Sequence, residues 1–285
     1  MSNKNHLGRS RPFRCAVIMG TNEIASAVAV QLHRRGYGVV LSHDPHPPVI
    51  RRKMAFHDAL FGDEVAIDGI HAERVDSSME VRGRLEHTPG VLITELGLLD
   101  LIVIRSIDVL VDARMQKYQT KPDLRRLARS TIGLGPGFAG AINCDIAVET
   151  HPAKAGRIIR GDATDQPDGL PSRLGDVFGE RFARADVNGR WHTAIEIGTR
   201  VFKDFVIGHL GNTPVRAPFD GILRGVVRDG TEVPAGAKLL EIDPRGRRAN
   251  ATSFDARMNA IARAVVKALA AREARLPERT LHLVK

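Results

Sequence analysis

The chain has 285 residues, of which 43% are hydrophobic and 26% charged, and it carries a formal net charge of +9. That composition suits one large or two ordinary globular domains with a buried core, and no run approaches the ~18 apolar residues of a transmembrane helix. The polar, basic start "MSNKNHLGRSRPFR" lacks the apolar stretch of a signal peptide, so a cytoplasmic protein with no membrane contact is expected. Cys15 and Cys144 fall in apolar runs and read as buried free thiols of a reducing compartment. The basic residues are scattered beside acids, and only "RGRR" at Arg245–Arg248 is dense. With two Tyr and one Trp there is little aromatic surface for stacking bases, so no nucleic-acid partner is expected.

In chain order, residues 1–11 read as a loose tail. "FRCAVIM" from Phe13 is a buried strand. After "GTNE", the spacing of Ile24, Ala25, Val28, Ala29 and Leu32 predicts a helix that Gly36 ends, and "YGVVLS" is the next strand. This β-turn-α-β unit predicts the opening of a doubly wound parallel sheet. "DEVAIDGIHAERV" predicts a hairpin turned at Asp68–Gly69. "GVLITE", "DVLVDA", "STIGLG" and "INCDIAVET" are further strands, and "LGLLDLIVIRS" is read as a helix because it joins two of them. The Gly-, Pro- and Asp-rich stretch Arg160–Leu174 marks a domain boundary.

Beyond it lies an internal repeat. Residues 184–210 and 216–242 align without a gap at an offset of 32, with Arg184, Ala185, Gly189, Gly198, Thr199 and Val201 recurring as Arg216, Ala217, Gly221, Gly230, Thr231 and Val233. Units this short must pair to bury a face, which predicts a small all-β sandwich. From Phe254 to Arg275, Ile261, Val265 and Leu269 recur at helical spacing, predicting an amphipathic helix that covers the main sheet or a second subunit.

Three stretches could carry chemistry. In "GTNEIA", Gly20, Thr21, Asn22 and Ala25 stand where a dinucleotide loop needs a turn between strand and helix, with Asn22 in place of the second glycine; the plain alternative is a structural turn. "GPGFAG" matches G-x-G-x-x-G literally but precedes a strand. Gly135 and Gly137 there are candidates for a backbone nest around an anion. In "VDARMQK", Asp112 ends a strand with Arg114 and Lys117 just beyond. At a strand's carboxyl end an acid can orient a ligand and the cations can hold a phosphate or oxyanion, while a strand-end salt bridge is the structural alternative. His43 and His46 share a proline-rich loop without a third ligand, so no metal site is expected.

"RAPFDG" and "DGTEVPAG" in the repeat resemble the biotinyl/lipoyl domain family. The stretch joining its halves, "HLGNTPV", holds no lysine, so no covalent biotin or lipoate is expected. More broadly, "IGLGPGF" and "APFDGILRG" through "IDPR", with the segments above in order, resemble the YqeB-like accessory family of selenium-dependent molybdenum hydroxylases, loosely akin to XdhC-type maturation factors. The resemblance implies a partner hydroxylase or other oxidoreductase, homo-oligomers, and a nucleotide or the molybdenum cofactor as ligand, with sulfur or selenium loading as the step served. The family's glycines are replaced at Asn22, at Ala27 and around Ala262–Ala264, and a Gly-Asp pair is replaced by Leu240–Glu241.

The expected fold is therefore α/β: a Rossmann-like doubly wound sheet over 12–160, a linker over 161–181, a biotinyl/lipoyl-like barrel-sandwich module over 182–245, and a C-terminal helical segment over 246–285. The expected function is maturation of a molybdenum hydroxylase. An NAD(P)-dependent oxidoreductase and a non-catalytic structural subunit are the alternatives.

Overall fold

The structure, a computed structural model, describes residues 13–169 and 171–275; the tail expected over 1–11 and residues 276–285 of the expected C-terminal segment lie outside them. The first sheet opens with β1 (Arg14–Met19), whose residues after Arg14 are all buried, as in a strand covered on both faces. Helix α1 (Glu23–His33) starts at Asn22, whose side chain accepts from the amides of Ile24 and Ala25. Gly36, in the left-handed region, turns the chain into β2 (Tyr37–Ser42). The hairpin of β3 (Ala66–Ile67) and β4 (Ile70–Arg74) turns at Asp68 and Gly69, both with positive φ, the geometry of a type I′ turn. α2 (Ser78–Arg84), β5 (Val91–Thr94), α3 (Leu98–Ile102) and β6 (Val109–Asp112) follow. The sheet ends in β7 (Ser130–Leu134), β8 (Ile146–Val148) and β9 (Ile158–Ile159).

Among the described residues this sheet has the order β3-β4-β5-β2-β1-β6-β7-β8-β9. The strands from β4 to β8 pair in parallel, while β3 and β9 close the two edges antiparallel.

The second region is built from the repeat. Its strands are β10 (Phe182–Arg184), β11 (Gly189–His192), β12 (Arg200–Val201), β13 (Val206–Leu210), β14 (Thr213–Arg216), β15 (Gly221–Val226), β16 (Glu232–Val233) and β17 (Lys238–Asp243). They form two four-stranded antiparallel sheets, ordered β10-β17-β15-β12 and β14-β13-β11-β16. An offset of four strands converts one order into the other, so each sheet takes strands from both repeats. Trp191, fully buried, anchors the core between them with Leu223, Leu239 and Ile242.

This architecture corrects the expected fold class. The chain is not the Rossmann-like doubly wound sheet with a biotinyl/lipoyl-like module that was read from the sequence; it has a mixed sheet and two antiparallel sheets. The physical reason lies in the connections. The segments from β6 to β7 and from β7 to β8 contain no helix among the described residues, so the winding stops at β6.

Helix α4 (Ala256–Glu273) returns to the first sheet and packs on α1, where Ile261, Val265 and Leu269 join Ile24, Val28 and Leu32 in one core. Burying each such side chain contributes ~1.5–3 kcal/mol. The opposite face of the sheet is covered by Val81 and Leu85 at α2 and Leu101 of α3, packed with both cysteines. Among the described residues no helix is long and apolar enough to cross a membrane.

Candidate functional site

A cavity of about 480 Å³ opens between the carboxyl ends of the first sheet's strands and the repeat region. Its floor comes from Asn22 to Ile24 after β1, Met115 to Gln119 after β6, Pro136 after β7 and Glu149 to Pro152 after β8. The segment 165–169 forms one side, and Arg181, Phe182, Arg184 and Lys238 close it from the repeat region, with Arg257 from α4. Ligands collect at this edge of an α/β sheet because the loops there diverge and the strands' carboxyl ends fix their bases.

The carboxylates of the wall are all engaged. Glu23 pairs with Arg51 at 3.0 Å. Glu149 accepts from the amides of Thr150, His151 and Asp165. Asp165 pairs with Lys154 and Asp168 with His151. The cations of the wall fall into two groups. Arg51 and Arg181 both bind Glu241, at 2.7 and 2.8 Å, and Glu241 is fully buried. Burial opposes ionisation of Glu241, but Arg51 foremost, with Arg224 and Arg181, holds its pKa down at about 2. Arg224 reaches on to Asp255, the N-cap of α4, at 3.1 Å. The network therefore clamps the repeat region to α1 and α4.

Lys117, Arg184, Lys238 and Arg257 form the second group, and none has a carboxylate within ion-pair distance among the described residues. Arg257 meets the carbonyl of Thr150, and Arg184 the carbonyl of Gly236. Lys238 lies over the Phe182 ring, its Nζ 3.6 Å from the centroid. Burial, reinforced by Arg51 and Lys117, pushes the Lys238 pKa down to about 7. Burial and the charge of Arg51 likewise lower that of Arg257. Cations kept in a cavity without counterions are the arrangement expected of an anion site.

The sequence candidates meet different fates. Lys117 stands at the exposed mouth of the cavity, as the anion reading requires. Asp112 and Arg114 do not face an open site: Arg114 grips Asp112 with two side-chain nitrogens at 3.1 and 2.6 Å and also reaches Asp44. They form the strand-end salt bridge. Asn22 lines the cavity, but its side chain occupies the Ile24 and Ala25 amides that a pyrophosphate would need, and its Nδ2 donates to Ala113 O. Gly20 sits at φ +107, where a Cβ would come within 2.9 Å of Ala113 O, so glycine is required for the turn itself. Thr21 is buried between His43 and His57. Gly135 and Gly137 have positive φ but flank Pro136 outside the cavity wall. The amides of Phe138 and Ala139 just beyond them are taken by Thr164 and Asn143. Lys238, Arg184, Arg257 and Arg181 escaped the sequence reading. The one available signal was a cation at Lys238 where the aligned repeat has Val206.

No family model matches the chain. Against curated proteins it is 31% identical over 264 residues to the uncharacterized protein YqeB of Escherichia coli (strain K12), covering 89% of this chain. The chain is YqeB-like. It spans about half the length of that relative, 47%. Solved structures are more distant. The product-bound ectoine utilization protein EutE (DoeB) of Ruegeria pomeroyi matches 30% of this chain and 27% of its own, at 17% identity and a TM-score of 0.21. An aspartoacylase family protein of Mesorhizobium loti matches 81% of this chain and 85% of its own, at 9% identity and a TM-score of 0.25. A succinylglutamate desuccinylase/aspartoacylase of Rhodobacter sphaeroides matches 81% and 85%, at 13% identity and a TM-score of 0.23. At these scores the likenesses carry no argument about activity. Their names are those of aspartoacylase and desuccinylase proteins and not of the molybdenum hydroxylase accessory factors, with selenium and nucleotide, that the sequence reading expected; the relative matched over most of the chain is itself uncharacterized, so the maturation role stays an expectation from the sequence. The loop geometry bears on the expected nucleotide, because the Asn22 side chain accepts from the Ile24 and Ala25 amides.

Proposed function

We propose that the protein binds a small anionic ligand, a carboxylate or phosphate compound with an apolar body, in the cleft between the first sheet and the repeat region. The observation that carries this reading is Lys238, a cation that lines the cavity with no carboxylate partner. Lys117, Arg184 and Arg257 extend the same unpaired charge around the wall, while Ile24, Met115, Pro136 and Phe182 supply apolar surface. Apolar surface that buries a ligand's body, with charges set around it, can fix the orientation of a small ligand. The XdhC-type accessory role is not part of this reading. The oxidoreductase alternative loses support at Asn22, whose side chain takes the amides a dinucleotide would need.

Calorimetric titration with citrate, inorganic phosphate and NADPH tests the reading. Citrate or phosphate is expected to bind, and added salt is expected to weaken that binding. Arg257→Met or Lys238→Met is expected to lower affinity by roughly tenfold or more, up to ~100-fold, the loss of one charge-assisted hydrogen bond of ~1.5–3 kcal/mol. A wild-type protein that binds none of these anions at low ionic strength contradicts the proposal.

A further inference from the structure

We infer that the cleft takes a dianion with an acidic group at each end of a short chain, one end held by Lys238 and the other by Arg257 and Lys117. The inference rests on the anion reading of the cleft and names the class of ligand within it. Six cations and four carboxylates line the cavity. Glu241, behind Arg51 and Arg181, and Lys154, beside Asp165, add one charge of each sign, so the excess of two cations remains. A monoanion leaves half of that excess unanswered in a site partly closed to water, and a dianion answers all of it.

The cations stand on separate walls. Lys238 opens β17 in the repeat region, and its Nζ lies over the Phe182 ring, a contact that favours the protonated amine. Arg257, from α4, holds the Thr150 carbonyl after β8 with Nε at 3.0 Å and Nη2 at 2.7 Å, and Lys117 follows β6 at the mouth. Burial, then the charges of Arg51 and Lys117, lower the pKa of Lys238, so a bound dianion relieves repulsion across the cleft. Ile24, Met115 and Pro136 supply apolar surface for the methylenes that join the two acidic groups. At about 480 Å³ the cavity has room for such a chain and exceeds what a single carboxylate or phosphate group fills.

The repeat shows that Lys238 is not a demand of the fold. Arg184 donates to the carbonyl of Gly236 at 3.0 Å, and its counterpart Arg216 donates to that of Asp204 at 2.8 Å, so this bond belongs to both copies. Lys238 aligns with Val206, which opens β13, and the first copy builds the equivalent strand without a cation there.

The test is calorimetric titration of the full chain. Succinate, glutarate and adipate are compared with butyrate, pentanoate and hexanoate, their single-acid counterparts, and with inorganic phosphate, whose charges share one centre. The best two-ended acid is expected to bind at least about tenfold tighter than its counterpart and than phosphate, the gain from a second charge-assisted hydrogen bond. Succinate against 3-phosphonopropionate, which share a two-methylene spacer, distinguishes a carboxylate end group from a phosphate-like one. Lys238→Met is expected to bring the two-ended acid down to the level of its counterpart, and Lys238→Arg, which keeps the charge, to retain most of the preference. Two-ended acids no tighter than their counterparts or than phosphate, or a preference that survives Lys238→Met, overturn the two-ended ligand and leave the anion reading standing. A protein that binds no acid of either series, nor phosphate, nor citrate, overturns both.

Discussion

Arg51, Arg181 and Arg224 converge on one buried carboxylate, Glu241, whereas Lys117, Lys238 and Arg257 on the same cleft converge on none. The first group is buried, whereas in the second Lys238 and Arg257 are half-buried and Lys117 is exposed; both sit where the repeat region meets the sheet. The first group is balanced by Glu241, Glu23, Asp243 and Asp255 and holds the two regions together. The second has no carboxylate within ion-pair distance among the described residues, and Arg257 and Lys238 meet a carbonyl and a ring instead. Charge answered inside the protein serves structure; charge left unanswered around a cavity serves a ligand.

The comparison makes graded predictions. Glu241→Ala takes a carboxylate from three buried arginines and leaves Arg181 without one, and is expected to cost ~3–5 kcal/mol in denaturant unfolding; a loss under ~1 kcal/mol breaks the clamp reading. The same carboxyl sets a pH dependence. Its folded pKa of about 2 lies below the unfolded value of 4.5, so between those values the unfolded state binds more protons. Stability is present above pH 4.5 and is lost as pH falls toward 2, and in Glu241→Gln that loss is expected to be shallower. Lys238→Met removes a charge that meets the Phe182 ring and no carboxylate within ion-pair distance among the described residues. It is expected to leave stability unchanged or raised while anion affinity falls ~tenfold, equivalent to ~1.4 kcal/mol. Asn22→Ala removes the cap of α1 and is expected to cost ~1 kcal/mol of stability. Arg190→Ala, which breaks an exposed pair with Glu232, is expected to change stability by less than ~0.5 kcal/mol.

Local structure was legible in the sequence where one residue decides it. Asn22 and Gly36 bound α1, Asp68–Gly69 turns the hairpin, and the offset of 32 places β12 and β16 at equivalent positions, Arg200–Val201 and Glu232–Val233. The helix read between "GVLITE" and "DVLVDA" exists as the short α3. The architecture was not legible, because the edges of the sheet are two-residue strands and its far half is joined by irregular loops that carry no periodicity. Of the cavity wall, Asn22 and Lys117 were legible. Asp112 and Arg114 sit two residues apart and close on each other, which a search for charges at a strand end cannot distinguish from an open pair. Lys238 and Glu241 lie three residues apart on one strand with opposite fates, and that difference is set by Arg51 and Arg181, which come from outside it.

The most direct test of the account is the side-chain titration of Lys238, followed by nuclear magnetic resonance on selectively labelled lysine with and without saturating citrate. The account predicts a midpoint near 7 in the free protein that moves upward when the anion binds, because a bound negative charge favours the protonated amine. A midpoint near the ordinary lysine value of ~10.4 that citrate does not move contradicts it.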